Sequence, residues 1–436
     1  MTAQSTDSPE YIKFIEDQWS EFQKNTDLDK IPTIEDDTLR ETIIKDLSFV
    51  SAMDVKEYTL YQKWCEVHNR YPTVETNSFF DDKPALKDAE QGALIQEVKN
   101  NFWNPTDPME YSNLEPEVIW TDDDTLKSIT GKKMPAIWNA LRTFLSTMKN
   151  NSNIGRNLNF IIQDKKTGKF LGITCMSSDF LDLTPRDKHI GWDRKRKTEK
   201  MINHTTIGST IVPVQPLGYN LVGGKLLALL CLSDVVAKTW KKQYGDTLVG
   251  VTTTSLYGKT KAIPLSQYDR LKHWKKMGWT AGSVSYEPEL TTRKMIQNWL
   301  LKNHTRKYFE WYFAKKPSGQ PHKRDHRNRS HNFTFNRLSI PKNLIKSEHA
   351  RGIYFGQLYT NTNEFLREEI TEDKLIPAFD NTTEALSELW KSKYARKRID
   401  NLIKTNRVSS ESHFYDDIIY MDWPSTKQKY LVQVGR

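Results

Sequence analysis

The sequence predicts an α/β (α+β) protein: a mixed central sheet flanked by helices, with an N-terminal helical domain and a basic C-terminal extension. Three observations carry this expectation. Apolar residues recur at helical spacing through the first hundred residues, two strand-like runs follow one another around a glycine turn, and a strand, a glycine-bearing loop and a helix succeed each other in the middle of the chain.

In chain order, Tyr11, Phe14, Ile15 and Trp19 fall on one helical face, and 38–50 and 58–67 continue that character. Pro72 and Pro84 bracket a turn, which gives an acidic helical domain over 1–100. The proline-marked polar segment 101–117 reads as a linker, followed by a core over 118–290 and a basic C-terminal region over 291–436 that packs on it. Within the core, PAIWNALRTFLSTM (135–148) has a proline in the first turn of a helix. NLNFIIQ (157–163) and KFLGITCM (169–176), joined by DKKTG, form an antiparallel pair. STIVPV (209–214) is a strand, QPLGYNLVGGK (215–225) a loop, and LLALLCLSDVVAKTW (226–240) a helix. TLVGVTTT (247–254) gives another strand, LSQYDRLKHWKKMGW (265–279) a helix ending at Gly278, and TAGSVSY (280–286) a final strand. Beyond them lie a strand in IYFGQLY (353–359), helical character to about 404, and a strand or clamp in 414–424 and 429–436.

The formal net charge of +9 conceals a division. Residues 1–130 hold 28 acidic against 12 basic residues, a net of −16, and the remainder carries +25. A basic body of that size attracts polyanions, DNA or RNA among them, through counterion release, although solubilising charge gives the same composition. The acidic domain is a candidate surface for a protein partner. Cys65, Cys175 and Cys231 stand far apart and supply no disulfide framework or Cys-rich zinc site. His322, His326 and His331 share one polar stretch, but basic neighbours oppose a cation there, so no metal is expected. With no apolar run long enough for a bilayer and no leader pattern, the expectation is a cytoplasmic protein without a membrane partner.

The order of elements resembles the GCN5-related N-acetyltransferase (GNAT) fold, whose last major helix commonly closes on an aromatic, a basic residue, a glycine and an aromatic. Trp274, Lys276, Gly278 and Trp279 occupy such places here. A closer resemblance, over about 157–282 and less securely beyond 351, is to the DUF4338 family, the DruA-like proteins of phage genomes and bacterial anti-phage defence. It rests on the strand pair, PRDKHIGWD (185–193), Asn203, NLVGGKLLALL (220–230), TWKKQYG (239–245) and the stretch 257–282. Such proteins are also similar to the phage Mom enzymes, which modify adenine in DNA.

These resemblances imply acyl transfer from an acyl-coenzyme A to a nucleobase amine. The alternatives are a non-catalytic DNA- or RNA-binding component that recruits or regulates a partner, and an acyltransferase acting on a protein or small amine. Gln215, Gly218, Gly223, Gly224 and Lys225 would hold the cofactor's diphosphate, because free amides at a helix start receive phosphate oxygens. Asp179 or Asp182 would serve as base, with Thr253, Thr254, Ser255 and Tyr257 near the reacting carbonyl and Tyr257 best suited as acid. Arg186, Lys188, Trp192, Arg194, Lys195, Arg196 and Lys197 form a basic loop with an aromatic that could track a nucleic-acid backbone. Lys323, Arg324, Arg327 and Arg329 form a second such element.

Overall fold

The computed structural model describes residues 8–75, 84–123, 131–150, 155–256, 266–323, 325–412 and 415–434. They fall into two compact units. One joins the N-terminal 55 residues to Ser283–His349; the other holds Lys56–Gly282 and Ala350–Arg436.

The larger unit is built on a seven-stranded mixed sheet. Its strands are β1 (Pro116–Trp120), β2 (Asn157–Asp164), β3 (Phe170–Ser178), β4 (Thr205–Pro213), β5 (Gly250–Ser255), β6 (Trp274–Trp279) and β7 (Gly352–Gln357), in the spatial order β1-β2-β3-β4-β5-β7-β6. β2 and β3 pair antiparallel, with Phe160 opposite Thr174. The parallel neighbours are β4 and β5, and their pairing covers only Thr205–Ile207 against Gly250–Thr252. Beyond that point the two strands part. Helices pack on the sheet: α1 (Met134–Leu145), α2 (Thr184–Ile190), α3 (Gly223–Leu230) and α4 (Asp234–Tyr244). Pro135 opens α1, and its Ile137, Leu141 and Phe144 are fully buried. Each such side chain contributes about 1.5–3 kcal/mol. The mixed sheet with flanking helices agrees with the sequence.

Several local expectations are corrected. The 226–240 run is two helices, because Ser233 caps a new start by accepting from the Val236 amide. WKKMGW is the strand β6, paired with β7, instead of the end of a helix. Positive φ at Arg270 (61°) and His273 (69°) ends any helical course before it, and Trp274 donates to the Ala228 carbonyl. Ser283–Ser285 pairs with Lys346–Glu348 in the smaller unit and does not extend the main sheet. At the C-terminus, Tyr415–Ile419 is a 3-10 turn and Trp423–Val434 a helix, where a strand or clamp was expected.

The smaller unit is mainly helical. Pro9–Asn25, started by Ser8 accepting from the Tyr11 amide, packs Tyr11, Ile15 and Phe22 against Leu301, Phe309 and Ala314. Asp36, in the first turn of Asp36–Ser51, accepts the indole N–H of Trp299 at 2.7 Å.

Candidate functional site

Where β4 and β5 part, a cleft of about 710 Å³ opens. Its walls come from α1 and the 145–150 turn, from the inner positions of β2 and β3, from Gly208–Pro213 of β4, from 253–256 and from Arg351. Along β2, alternation of side chains sends Asn157 and Asn159 to one face. Asn157 Oδ1 accepts from Cys175 Sγ (2.9 Å) and Ser177 Oγ (3.0 Å), and Ser177 is bonded to Ser209 (2.9 Å). Asn159 Oδ1 is buried without a partner among the described residues. An unpaired buried acceptor is costly, so a ligand donor at this position would be favoured.

Arg142 is the charged residue of α1, and its guanidinium donates to the carbonyls of Met148 (2.7 Å) and Lys149 (3.1 Å). That clamp shapes the turn at the cleft mouth. Burial lowers its pKa to about 10. Behind it, Glu66 accepts from the Asn150 amide (2.9 Å) and pairs with Lys63 (3.0 Å), whose pKa burial lowers to about 7. Arg351 also lines the cleft, its pKa lowered by burial, and has no carboxylate partner among the described residues. Phe180 stands at the rim with 46% of its surface exposed. Thr253 donates to the Gly208 carbonyl (3.1 Å), and Ser266 donates to Ser255 (3.0 Å). Desolvation holds Tyr268 neutral, raising it to about 12. No Asp or Glu lines the cleft among the described residues.

The expected site residues are dispersed. Ser255, Thr253, Thr254, Gln215, Gly218 and Gly224 line the cleft. Tyr257 and Arg324 lie outside the described residues. Asp179 is not presented as a base: it is fully shielded in an ion pair with Arg186 (2.6 Å) and accepts from Thr252 Oγ1 (2.8 Å). Asp182 sits away from the cleft lining, 62% exposed, beside Lys197 (3.2 Å) and Arg194 (3.7 Å).

The loop expected to hold a diphosphate does not fit one as it stands. Gly223 and Gly224 begin α3, but Leu217 and Pro213 pack against Gly223, and the Gln267 carboxamide lies directly on Gly224. Lys225 turns away, donating to the carbonyls of Gln267 and Asp269, with its pKa lowered to about 8 mainly by burial.

The first basic segment is likewise redirected. Arg186 and Lys197 are buried, so neither offers its charge to solvent as expected. Trp192 donates to the Leu366 carbonyl (2.7 Å) with the Arg186 guanidinium over its ring, which makes it an anchor. Lys188, Arg194 and Lys195 are exposed; of Arg196 only the backbone is described. In the smaller unit, Arg327 pairs with Glu287 (3.3 Å), Arg329 is exposed and Lys323 half-buried. His322 shares a hydrogen bond with Tyr11 (2.7 Å) and His331 stacks on Phe335. Among the described residues no three His, Cys, Asp or Glu gather as a metal site, and no helix is long and apolar enough to cross a membrane.

Sequence reasoning missed Arg142, Asn159, Phe180 and Arg351. Only Arg142 left a signal, as a lone charge inside an apolar helical run. Comparison with known proteins bears on the same region. A family model described as Druantia protein DruA matches residues 92–368. The curated Druantia protein DruA of Escherichia coli (strain UMEA 4076-1) is 25% identical over 229 residues, 50% of this chain and 54% of the relative. The chain thus spans about half the length of the curated relative it matches. No solved structure gives a significant match.

Proposed function

Because the chain belongs to the Druantia protein DruA family, we propose that it serves in anti-phage defence as a nucleic-acid-binding component, and that the cleft of the larger unit receives a base and its phosphate from a single strand. One observation carries this reading: a cleft without Asp or Glu among the described residues that sets an exposed aromatic, Phe180, and an arginine without a carboxylate partner among those residues, Arg351, around a polar floor. An exposed ring stacks on any base, a guanidinium binds phosphate, and Asn159 Oδ1 can accept from a base N–H. With no carboxylate on the described walls, a phosphate there meets no like charge.

The test is titration of a labelled single-stranded oligonucleotide at fixed salt. Phe180→Ala is expected to weaken binding about tenfold, in line with about 1–3 kcal/mol per stacked base, and Arg351→Gln should weaken it comparably. Unchanged affinity in both variants would remove the reading.

Acyl transfer from an acyl-coenzyme A, to a nucleobase, protein or small amine, is a second reading favoured by the parting of β4 and β5, which leaves the Gly208–Pro213 edge facing the cleft. It requires Gln267 to leave Gly224 and a base from outside the described lining. Protection of the Gly223 and Gly224 amides from hydrogen exchange by acetyl-coenzyme A would support it; no protection would set it aside.

A further inference from the structure

A second cationic feature lies apart from the cleft, on the helix α5 (Arg396–Lys404) and the π-helical turn Lys391–Ala395 that precedes it. Its inner face is apolar: Ala395, Ile399 and Leu402, spaced four and three residues apart, are fully buried. The opposite face carries Lys393, Lys397, Asn401 and Lys404 at spacings of four, four and three, which a helix stacks into one stripe. All four are exposed and line a groove of about 690 Å³.

Pairing within the stripe is uneven in an informative way. Arg396 holds Asp400, the acid of the groove, at 3.0 Å, and Lys391 holds Glu388 at 2.7 Å. Lys393, Lys397 and Lys404 have no carboxylate partner among the described residues. Tyr394 lies beside them, with Lys393 and Lys225 both over its ring. Arg398 is pinned inward, donating to the Tyr219 carbonyl (3.2 Å). The local acids are therefore taken, and three ammonium groups face outward along a line. From Lys393 to Lys404 the helix rises about 16 Å, an axial length over which one strand of a DNA duplex presents roughly five phosphates at about 3.4 Å of rise each. A π turn, often found at functional positions, begins the stripe.

We infer that this groove is a phosphodiester-binding track, engaging the backbone of a nucleic acid through Lys393, Lys397 and Lys404 without reading its bases. The inference deepens the proposed function, resting on a nucleic-acid partner but not on the cleft. The three lysines lie beyond residues 92–368, where the family match falls, while Val222 and Lys225 of the groove wall lie within it, so the charge of this contact would come from the C-terminal region.

The experiment measures affinity for a 20-mer single strand and its duplex as sodium chloride is varied, using the full chain. Compared are the wild type, Lys393→Gln/Lys397→Gln/Lys404→Gln, the corresponding triple Arg variant, and Phe180→Ala. If the track exists, the triple Gln variant binds about tenfold or more weakly at low salt. Its log–log salt slope falls by about 2–3, near 0.7–0.9 per lost phosphate contact, while the triple Arg variant retains both. An unchanged slope and affinity in the triple Gln variant overturns the track, even if Phe180→Ala binds weakly. Loss in the triple Gln variant with Phe180→Ala unchanged supports the track and tells against base stacking in the cleft. A wild type that binds neither oligonucleotide overturns both. Thermal melts of each variant ensure that lost binding is not lost folding.

Discussion

The segments 185–200 and 391–404 are both basic, both include an aromatic and both pack on the larger unit, yet they use charge in opposite ways. In the first, Arg186 and Lys197 turn inward and are consumed by Asp179, Asp182 and Asp187. In the second, acids are satisfied by Arg396 and Lys391, leaving three lysines facing water. Counting Lys and Arg treats the two as equals. Burial and pairing separate them: a shielded ion pair specifies a local structure, whereas an unpaired exposed row supplies field.

This contrast is broken most severely at Arg186. Arg186→Ala would leave Asp179 shielded and uncompensated, and denaturant titration should show a loss of about 3–5 kcal/mol. A loss below about 1 kcal/mol would show that the inward charge is solvated after all. A second probe of inward charge is Lys63, whose ammonium burial lowers from 10.5 to about 7. Between those values the unfolded chain binds more protons than the folded one, so raising pH favours folding. Stability measured from pH 7 to 10 should rise more steeply in wild type than in Lys63→Met. Equal slopes would mean that the amine stays hydrated. Smaller again is Trp192→Phe, which deletes the bond to Leu366 and should cost about 1 kcal/mol by the same titration. The smallest effect belongs to the outward row: Lys397→Gln alone should change stability by less than about 0.5 kcal/mol.

Legibility followed the range of the interactions. The β2–β3 pair was readable because its turn, its apolar runs and its pairing lie within about twenty residues, and β4 and β5 because their apolar runs are bounded by turns. WKKMGW was not, since its fate depends on Gly352–Gln357 some eighty residues later and on left-handed backbone at Arg270 and His273, which neither residue type announces. At the candidate site, the hydroxyls of Thr253, Thr254 and Ser255 at the end of β5 line the cleft, whereas the glycine loop reads as open because sequence does not reveal that Gln267 returns to lie on Gly224. Asp179 reads as a catalytic base in the sequence, whereas in the fold it is shielded in an ion pair with Arg186, seven residues on. Phe180 and Arg351 gained meaning only when the sheet brought them to one cavity.

The smaller unit is assembled from two stretches separated by more than half of the chain. Its first helix exposes Tyr11, Ile15 and Phe22 as soon as it leaves the ribosome, while their partners Leu301 and Phe309 have yet to be made. At roughly 5–20 residues per second, that interval lasts on the order of a quarter-minute to a minute. During synthesis, therefore, this apolar stripe is a nascent-chain liability awaiting a chaperone or temporary shelter until its partners nearly three hundred residues later are made.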